Sequence, residues 1–208
     1  MYDVWLEALE GKEFAGVCFL DMSAAFDIVD HSLLIQKLEL YGCDSTLTQW
    51  IQSYLSDRKQ CVSIDGSLSK LLSVKYGVPQ GSILGPLLYT IFTNELPEVI
   101  HDHPDSSEAE SWPSYSMSCK KCGALSCYAD DTSYSCADSD PAQLSEKLSA
   151  KFNTISNFMI SNKLKLNDEK THLMVLTTSE KRRKGDPNNL VKLTTPKKSL
   201  ILPLVRNC

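Results

Sequence analysis

Tyr128-Ala129-Asp130-Asp131 sets two adjacent carboxylates between two runs with strand character, Ala124-Leu125-Ser126-Cys127-Tyr128 and Thr132-Ser133-Tyr134-Ser135-Cys136. A strand, an acid pair and a second strand predict a hairpin with both acids at its tip. Crowding negative charge there is unfavourable unless a cation or solvent meets it. Mg²⁺ prefers hard oxygen ligands and would suit such a tip. Aspartate is also a common turn residue, so these four positions alone leave a metal site and an ordinary turn both open.

Working outward, Ala15-Gly-Val-Cys-Phe-Leu20 is a continuous apolar run that ends on Asp21, the pattern of a buried strand with an acid at its end. Leu33, Leu34, Leu38, Leu40 and Tyr41 recur at helical spacing from about Ser32, and Gly42 stops them. Ser45 or Thr46 can cap a second helix whose apolar face is Leu47, Trp50, Ile51, Tyr54 and Leu55. Residues 60–65 and 71–76 read as two strands about Gly66. The loop Gly77-Val-Pro-Gln-Gly-Ser82 leads into a helix carrying Ile83, Leu84, Leu87, Leu88, Ile91 and Phe92, stopping near Pro97. After the hairpin, Leu144, Leu148, Phe152, Ile155, Phe158 and Met159 mark an amphipathic helix from Pro141 to about Ser161, and Thr171–Thr177 reads as a strand. Strands and helices mix without a regular alternation, which predicts an α+β fold: an antiparallel sheet with helices packed on one face.

With 42% hydrophobic and 23% charged residues, the 208-residue chain is expected to be globular. No run reaches the ~18–20 apolar residues of a membrane span, so no membrane partner is expected. Eight cysteines without a secretory leader suggest a reducing, intracellular compartment, nuclear or cytoplasmic. Residues 180–208 carry eight basic and two acidic side chains, whereas the rest of the chain carries 13 and 24. A basic tail, including Lys181-Arg-Arg-Lys184, thus follows an acidic body.

If the strand ending at Asp21 neighbours the hairpin, Asp21, Asp130 and Asp131 converge. Such a cluster suits two divalent ions about 3.5–4 Å apart, the arrangement used for in-line phosphoryl transfer. The surrounding motifs are more specific. Phe19-Leu-Asp-Met-Ser-Ala-Ala-Phe-Asp-Ile-Val-Asp-His31 resembles the first palm motif of reverse transcriptases, and more narrowly that of the non-LTR (LINE-type) retrotransposon enzymes. Gly77–Leu88 is similar to that family's second palm motif, Tyr128–Asp131 to its third and Asn162–Thr171 to its fourth, all in family order. The resemblance covers about residues 1–178 and implies a polymerase palm with part of the fingers. Residues 98–123 would be an acidic, cysteine-containing insertion, and 179–208 a basic tail.

The resemblance also implies roles. Asp21, Asp130 and Asp131 occupy the catalytic and metal-binding acid positions, with Asp21 and Asp130 ranked above Asp131; Met22 would assist through its backbone carbonyl. Phe26 occupies the position of a steric gate against a ribose 2′-hydroxyl, and core packing is the competing reading for a phenylalanine. Gln80 and Gly81 match a pair lying against the incoming nucleotide. Lys170 is the candidate cation near the pyrophosphate, with Lys165 its competitor. Asp27, Asp30 and His31 read as structural residues near a helix start.

The implied activity is RNA-directed DNA synthesis with two Mg²⁺ ions (Mn²⁺ as substitute), an RNA template, a DNA primer and dNTPs. The resemblance further implies a larger polyprotein with fingers, thumb and endonuclease regions, and hence weak or no activity from these residues alone. A non-catalytic retroelement relic or nucleic-acid-binding module is the alternative; an RNA-dependent RNA polymerase fits Phe26 and Val78-Pro-Gln-Gly81 less well. Separately, Cys119, Cys122, Cys127 and His103 could form a zinc site, although one CxxC spacing is weak evidence against free thiols in a loop.

Overall fold

The computed structural model describes residues 2–100, 118–119, 123–128, 130–178, 193–194 and 199–200. The chain divides into two compact units, one of residues 1–23, 95–160 and 165–208, the other of residues 24–94 and 161–164.

The first unit is built on a five-stranded sheet of β1 (Phe14–Leu20), β6 (Ser118–Cys119), β7 (Gly123–Tyr128), β8 (Asp131–Asp138) and β9 (His172–Leu176). The strand order is β6-β7-β8-β1-β9 and every neighbouring pair is antiparallel. The α+β class with an antiparallel sheet is therefore as the sequence predicts. The apolar run occupies the middle of the sheet, where a strand is covered on both sides: Ala15, Val17, Cys18 and Leu20 are almost completely buried. Helix α6 (Pro141–Ser161) lies on one face, burying Leu144, Leu148, Phe152, Ile155, Phe158 and Met159, the six positions its periodicity singles out. Gly16 sits beneath it: a Cβ there would stand 2.5 Å from a Leu148 methyl carbon, so only glycine lets helix and strand approach this closely. On the opposite face Ala15, Val17 and Ser135 are fully buried, whereas Phe19, Asp131 and Tyr128 are exposed. The sheet is thus open at the end that carries the acids.

Two short helices of this unit carry little sequence signal. They are α1 (Tyr2–Glu10), which packs against β1 and β8, and α5 (Leu96–Ile100). Pro97 does not stop the preceding helix; that helix ends at Thr93 with Asn94 as its C-cap, and Pro97 occupies the first turn of α5, where its missing N–H costs nothing.

The second unit holds α2 (His31–Leu40), α3 (Ser45–Leu55) and α4 (Leu84–Thr93), with α2 packed against both others. Asp44 caps α3, accepting a bond from the Leu47 amide at 2.8 Å; Ser45 and Thr46, expected as caps, lie inside the helix. The expected pair of strands about Gly66 is a broken hairpin. Its pairs are β2 (Lys59–Gln60) with β5 (Leu72–Ser73) and β3 (Ser63–Ile64) with β4 (Ser67–Leu68), two residues per strand. Lys37 is buried, and its ammonium donates to the Phe92 carbonyl at 2.9 Å, closing an orphan acceptor at the end of α4.

Candidate active site

The hairpin forms at the predicted place but divides its acids differently. Tyr128 pairs with Asp131, so Asp131 belongs to β8 and Asp130 alone of the two acids lies in the turn. A two-residue connection matches the twist of antiparallel strands, which is why the ladder runs one residue further than the polarity of Asp131 suggests. On the other side, the β1–β8 register ends at Leu20 opposite Thr132. Asp21 and Asp131 are the next residue along each strand, and alternation puts them on the open face together with Phe19 and Ser133.

These side chains line a cavity of about 390 Å³ formed by Phe19, Leu20, Asp21, Asp131, Thr132, Ser133 and Lys170. The structure therefore brings together Asp21, Asp131 and Lys170, and groups Asp131 rather than Asp130 with the strand-end acid. Two carboxylates and a lysine lining one open cleft can hold a divalent cation and an anionic oxygen there. Among the described residues no group of three or more His, Cys, Asp or Glu side chains stands ready to hold a metal. Magnesium does not need one: it commonly takes one or two carboxylates and completes its sphere with substrate phosphates and water. The donor set fits that mode.

The backbone around the acids is tied down. The Asp21 carbonyl accepts from the Asn167 amide and the Lys165 carbonyl from the Ser23 amide, both at 2.9 Å, flanking the bridge between Met22 and Leu166. The Met22 side chain itself is buried. Asn167 also receives the Lys170 amide, so one turn positions both the strand-end acid and the lysine. Lys165 is exposed but does not line the cavity.

The remaining predicted residues lie in the second unit. Phe26 is half-buried and its ring packs on that of Tyr89, with centroids 4.7 Å apart. Gln80 is exposed and donates its side-chain amide to the Asp27 carboxylate at 2.9 Å. Gly81 has a φ of +79° with nothing near its Cβ position, so it is glycine for conformation rather than for space. Gly77 is glycine for both, since at φ +87° a Cβ would meet the Asp27 backbone at 2.6 Å. The His31 ring nitrogen Nε2 lies 2.7 Å from the Gly77 carbonyl oxygen, and Asp30 caps α2 by accepting from Leu33; both are structural residues, as expected.

The Asp30–Lys163 ion pair, at 2.6 Å, went unread in the sequence. Partial burial works against the Asp30 charge, but the Lys163 ammonium and the Leu33 amide outweigh it and hold the carboxyl below its ordinary value. The only sequence signal for it was that both residues lie inside family motifs. Of the candidate zinc ligands, the side chains of Cys119, Cys122 and His103 lie outside the described residues; Cys127 is exposed, its sulfur 4.0 Å from the Thr132 hydroxyl.

Strand-end acids on the open end of an antiparallel sheet, with four motifs in order, define a nucleic-acid polymerase domain. The chain belongs to the reverse transcriptase (RNA-dependent DNA polymerase) family, whose model matches residues 7–198. It is similar to the RNA-directed DNA polymerase from mobile element jockey of Drosophila funebris, 49% identical over 92 residues, which is 44% of this chain and 10% of that protein. It is also similar to the probable RNA-directed DNA polymerase from transposon BS of Drosophila melanogaster, 42% identical over 98 residues, again 44% of this chain and 10% of the relative. The Pol polyprotein of the type-1 retrotransposable element R2 from Popillia japonica is 30% identical over 97 residues, 47% of this chain and 16% of that protein. The non-LTR retrotransposon resemblance drawn from the motifs therefore stands. The chain spans about a tenth of the length of the first of these relatives. The family generally uses divalent metal ions, and it implies a nucleic-acid template and primer. Among the described residues no helix is long and apolar enough to cross a membrane.

Proposed function

We propose that residues 1–178 form the palm and part of the fingers of an RNA-directed DNA polymerase that extends a DNA primer with dNTPs on an RNA template. The observation that carries this reading is the meeting of Asp21, Asp131 and Lys170 around one open cleft. Asp21 and Asp131 are the residues that would hold divalent metal, with Asp130 beside them in the turn and the Met22 carbonyl as a further donor. Two Mg²⁺ ions bound there would neutralise charge at the attacking hydroxyl and at the departing pyrophosphate. Asp21 and Asp131 hold that charge balance in place through strands locked by backbone pairing. Lys170 offers an ammonium to a phosphate oxygen and can donate its proton there as charge develops. In the second unit, the family resemblance gives Phe26 the role of sugar gate and Gln80 and Gly81 that of nucleotide contacts.

Calorimetric titration of the purified chain with a dNTP, with and without Mg²⁺, tests the assignment. Binding is expected to need the metal and to weaken by roughly 10–100-fold in Asp21→Asn and in Asp131→Asn, the scale on which metal sites respond to lost support. The Phe26→Ala variant should accept NTPs and dNTPs more equally than the parent chain. Equal, metal-independent affinities in all proteins would leave a non-catalytic module.

A further inference from the structure

On α3 the side chains of Trp50 and Tyr54 stand four residues apart on a single helix face, and Arg58, three residues past the end of the helix, folds back over Tyr54. The Trp50 and Tyr54 rings stack at 20° with centroids 6.4 Å apart. The Arg58 guanidinium lies over the Tyr54 ring at 4.4 Å, held by a 2.7 Å bond from its Nε to the Tyr54 carbonyl. Trp50 is 56% exposed, and its neighbour Leu47 is 41% exposed. The sequence pattern assigns both to the core face; instead Thr48, Ile51 and Leu55 are buried, Trp50 faces solvent, and Tyr54 and Arg58 are half-buried. An exposed tryptophan in a pre-ordered stack of three planar groups is unusual for a solvated helix face, and Trp, Tyr and Arg are the residue types that carry binding energy.

Charge decides the partner. Residues 45–76, which hold the ladder and the broken hairpin after it, carry four basic residues (Arg58, Lys59, Lys70, Lys75) and two acidic ones. The rest of the chain carries 17 basic and 24 acidic. Lys59, Lys70 and Lys75 are all exposed. A segment of net charge +2 that carries ordered aromatic faces, in a chain whose other residues sum to −7, is complementary to a polyanion whose bases stack.

We infer that the Trp50–Tyr54–Arg58 ladder is a binding surface for single-stranded nucleic acid, separate from the carboxylate cleft. The choice of partner rests on the polymerase reading; the place rests on the ladder alone. Bases continue the stack from Trp50, and Arg58 and the neighbouring lysines meet phosphates. The surface requires no metal.

The test is fluorescence titration of the full chain, in EDTA, with single-stranded RNA and DNA oligonucleotides of roughly 12 nucleotides, within the range one such surface spans. Trp5 and Trp112 are first replaced by Phe so that Trp50 reports. Quenching of Trp50 is expected, and Trp50→Ala, followed with a labelled oligonucleotide, should weaken binding by about tenfold. Arg58→Ala should also flatten the dependence of log K on log salt by about 0.7, while Arg58→Lys keeps the slope and still loses affinity. Tyr54 is half-buried and its loss could disturb the fold; exposed Trp50 avoids that, and unchanged circular dichroism of Trp50→Ala checks it. Unchanged affinity in a folded Trp50→Ala protein overturns the inference. So does concentration-dependent self-association that Trp50→Ala abolishes while oligonucleotide binding stays the same, which would make the ladder a contact between copies. Because EDTA removes the metal, failure of the carboxylate assignment leaves this result readable: oligonucleotide binding without metal-dependent dNTP binding upholds the ladder and sinks the palm chemistry.

Discussion

Asp30 makes two kinds of contact whose worth can be separated. Its carboxylate caps α2 through the Leu33 amide at 3.0 Å, and pairs with Lys163 at 2.6 Å. Lys163 keeps 61% of its side chain in solvent, so water and salt screen the ion pair, whereas losing a helix N-cap costs about 0.5–2 kcal/mol. Asp30→Asn keeps a capping oxygen and should therefore destabilise the protein less than Asp30→Ala, as measured by urea unfolding at pH 7. The pH dependence has a definite sign. The folded carboxyl titrates below its ordinary value of 3.8, so its contribution is complete above that value and is lost as pH falls through the lower folded one. The gap between the wild type and Asp30→Asn should close in acid, and a gap that widened there would refute the assignment. Cys18 and Cys136 show the opposite regime: burial pushes both thiols up to about 12, and at Cys18 the neighbouring Cys136 adds to it. They are small core residues and carry no nucleophile.

Among elements, α6 and β1 were legible because each obeys one rule along its whole length. Six apolar positions at helical spacing are all buried, and the apolar run of β1 sits mid-sheet. α3 was legible as a helix but not in its facing. Leu47, Trp50 and Tyr54 share an apolar stripe with Ile51 and Leu55, and nothing in the sequence tells which half of a wide stripe the core takes. The hairpin was placed correctly, yet the pairing of Tyr128 with Asp131 moved one acid from the turn into the strand, because ladder geometry, not polarity, closes a hairpin. The contact between α6 and β1 gives a test at this scale. Gly16→Ala would place a carbon 2.5 Å from a Leu148 methyl, overpacking that costs about 1–3 kcal/mol. Leu148→Ala alone should cost about 2–5 kcal/mol through its cavity. The double variant should lose less than the sum, because the new methyl fills space the leucine vacated. Strictly additive losses in a double-mutant cycle by chemical denaturation would show that Gly16 does not set this approach.

At the scale of the whole molecule, motif order identified the family and the carboxylate strands, while the grouping of Asp21 with Asp131 and Lys170 needed the register. A strand's partner is a long-range fact that no local spacing encodes. The whole chain also limits what those three residues can achieve. Its formal net charge is −5, and it spans about a tenth of the length of its jockey relative. A template-primer duplex carries one negative charge per about 1.7 Å, and its retention depends on cationic contacts that release counterions. Outside residues 180–208 the chain carries 13 basic side chains against 24 acidic ones and supplies few of them. On the proposed function, chemistry then outlasts grip: one nucleotide is added and the duplex leaves before the next. Primer extension by the purified chain on an RNA template with Mg²⁺ should accordingly be weak and confined to the first few positions. Lowering the salt concentration should lengthen products, since phosphate contacts strengthen as counterions thin. Asp130→Asn and Asp131→Asn should remove even the short products without changing the salt response of oligonucleotide binding measured in EDTA. Long, processive synthesis by this chain at physiological salt, abolished by Asp130→Asn, would show that grip resides within these 208 residues after all.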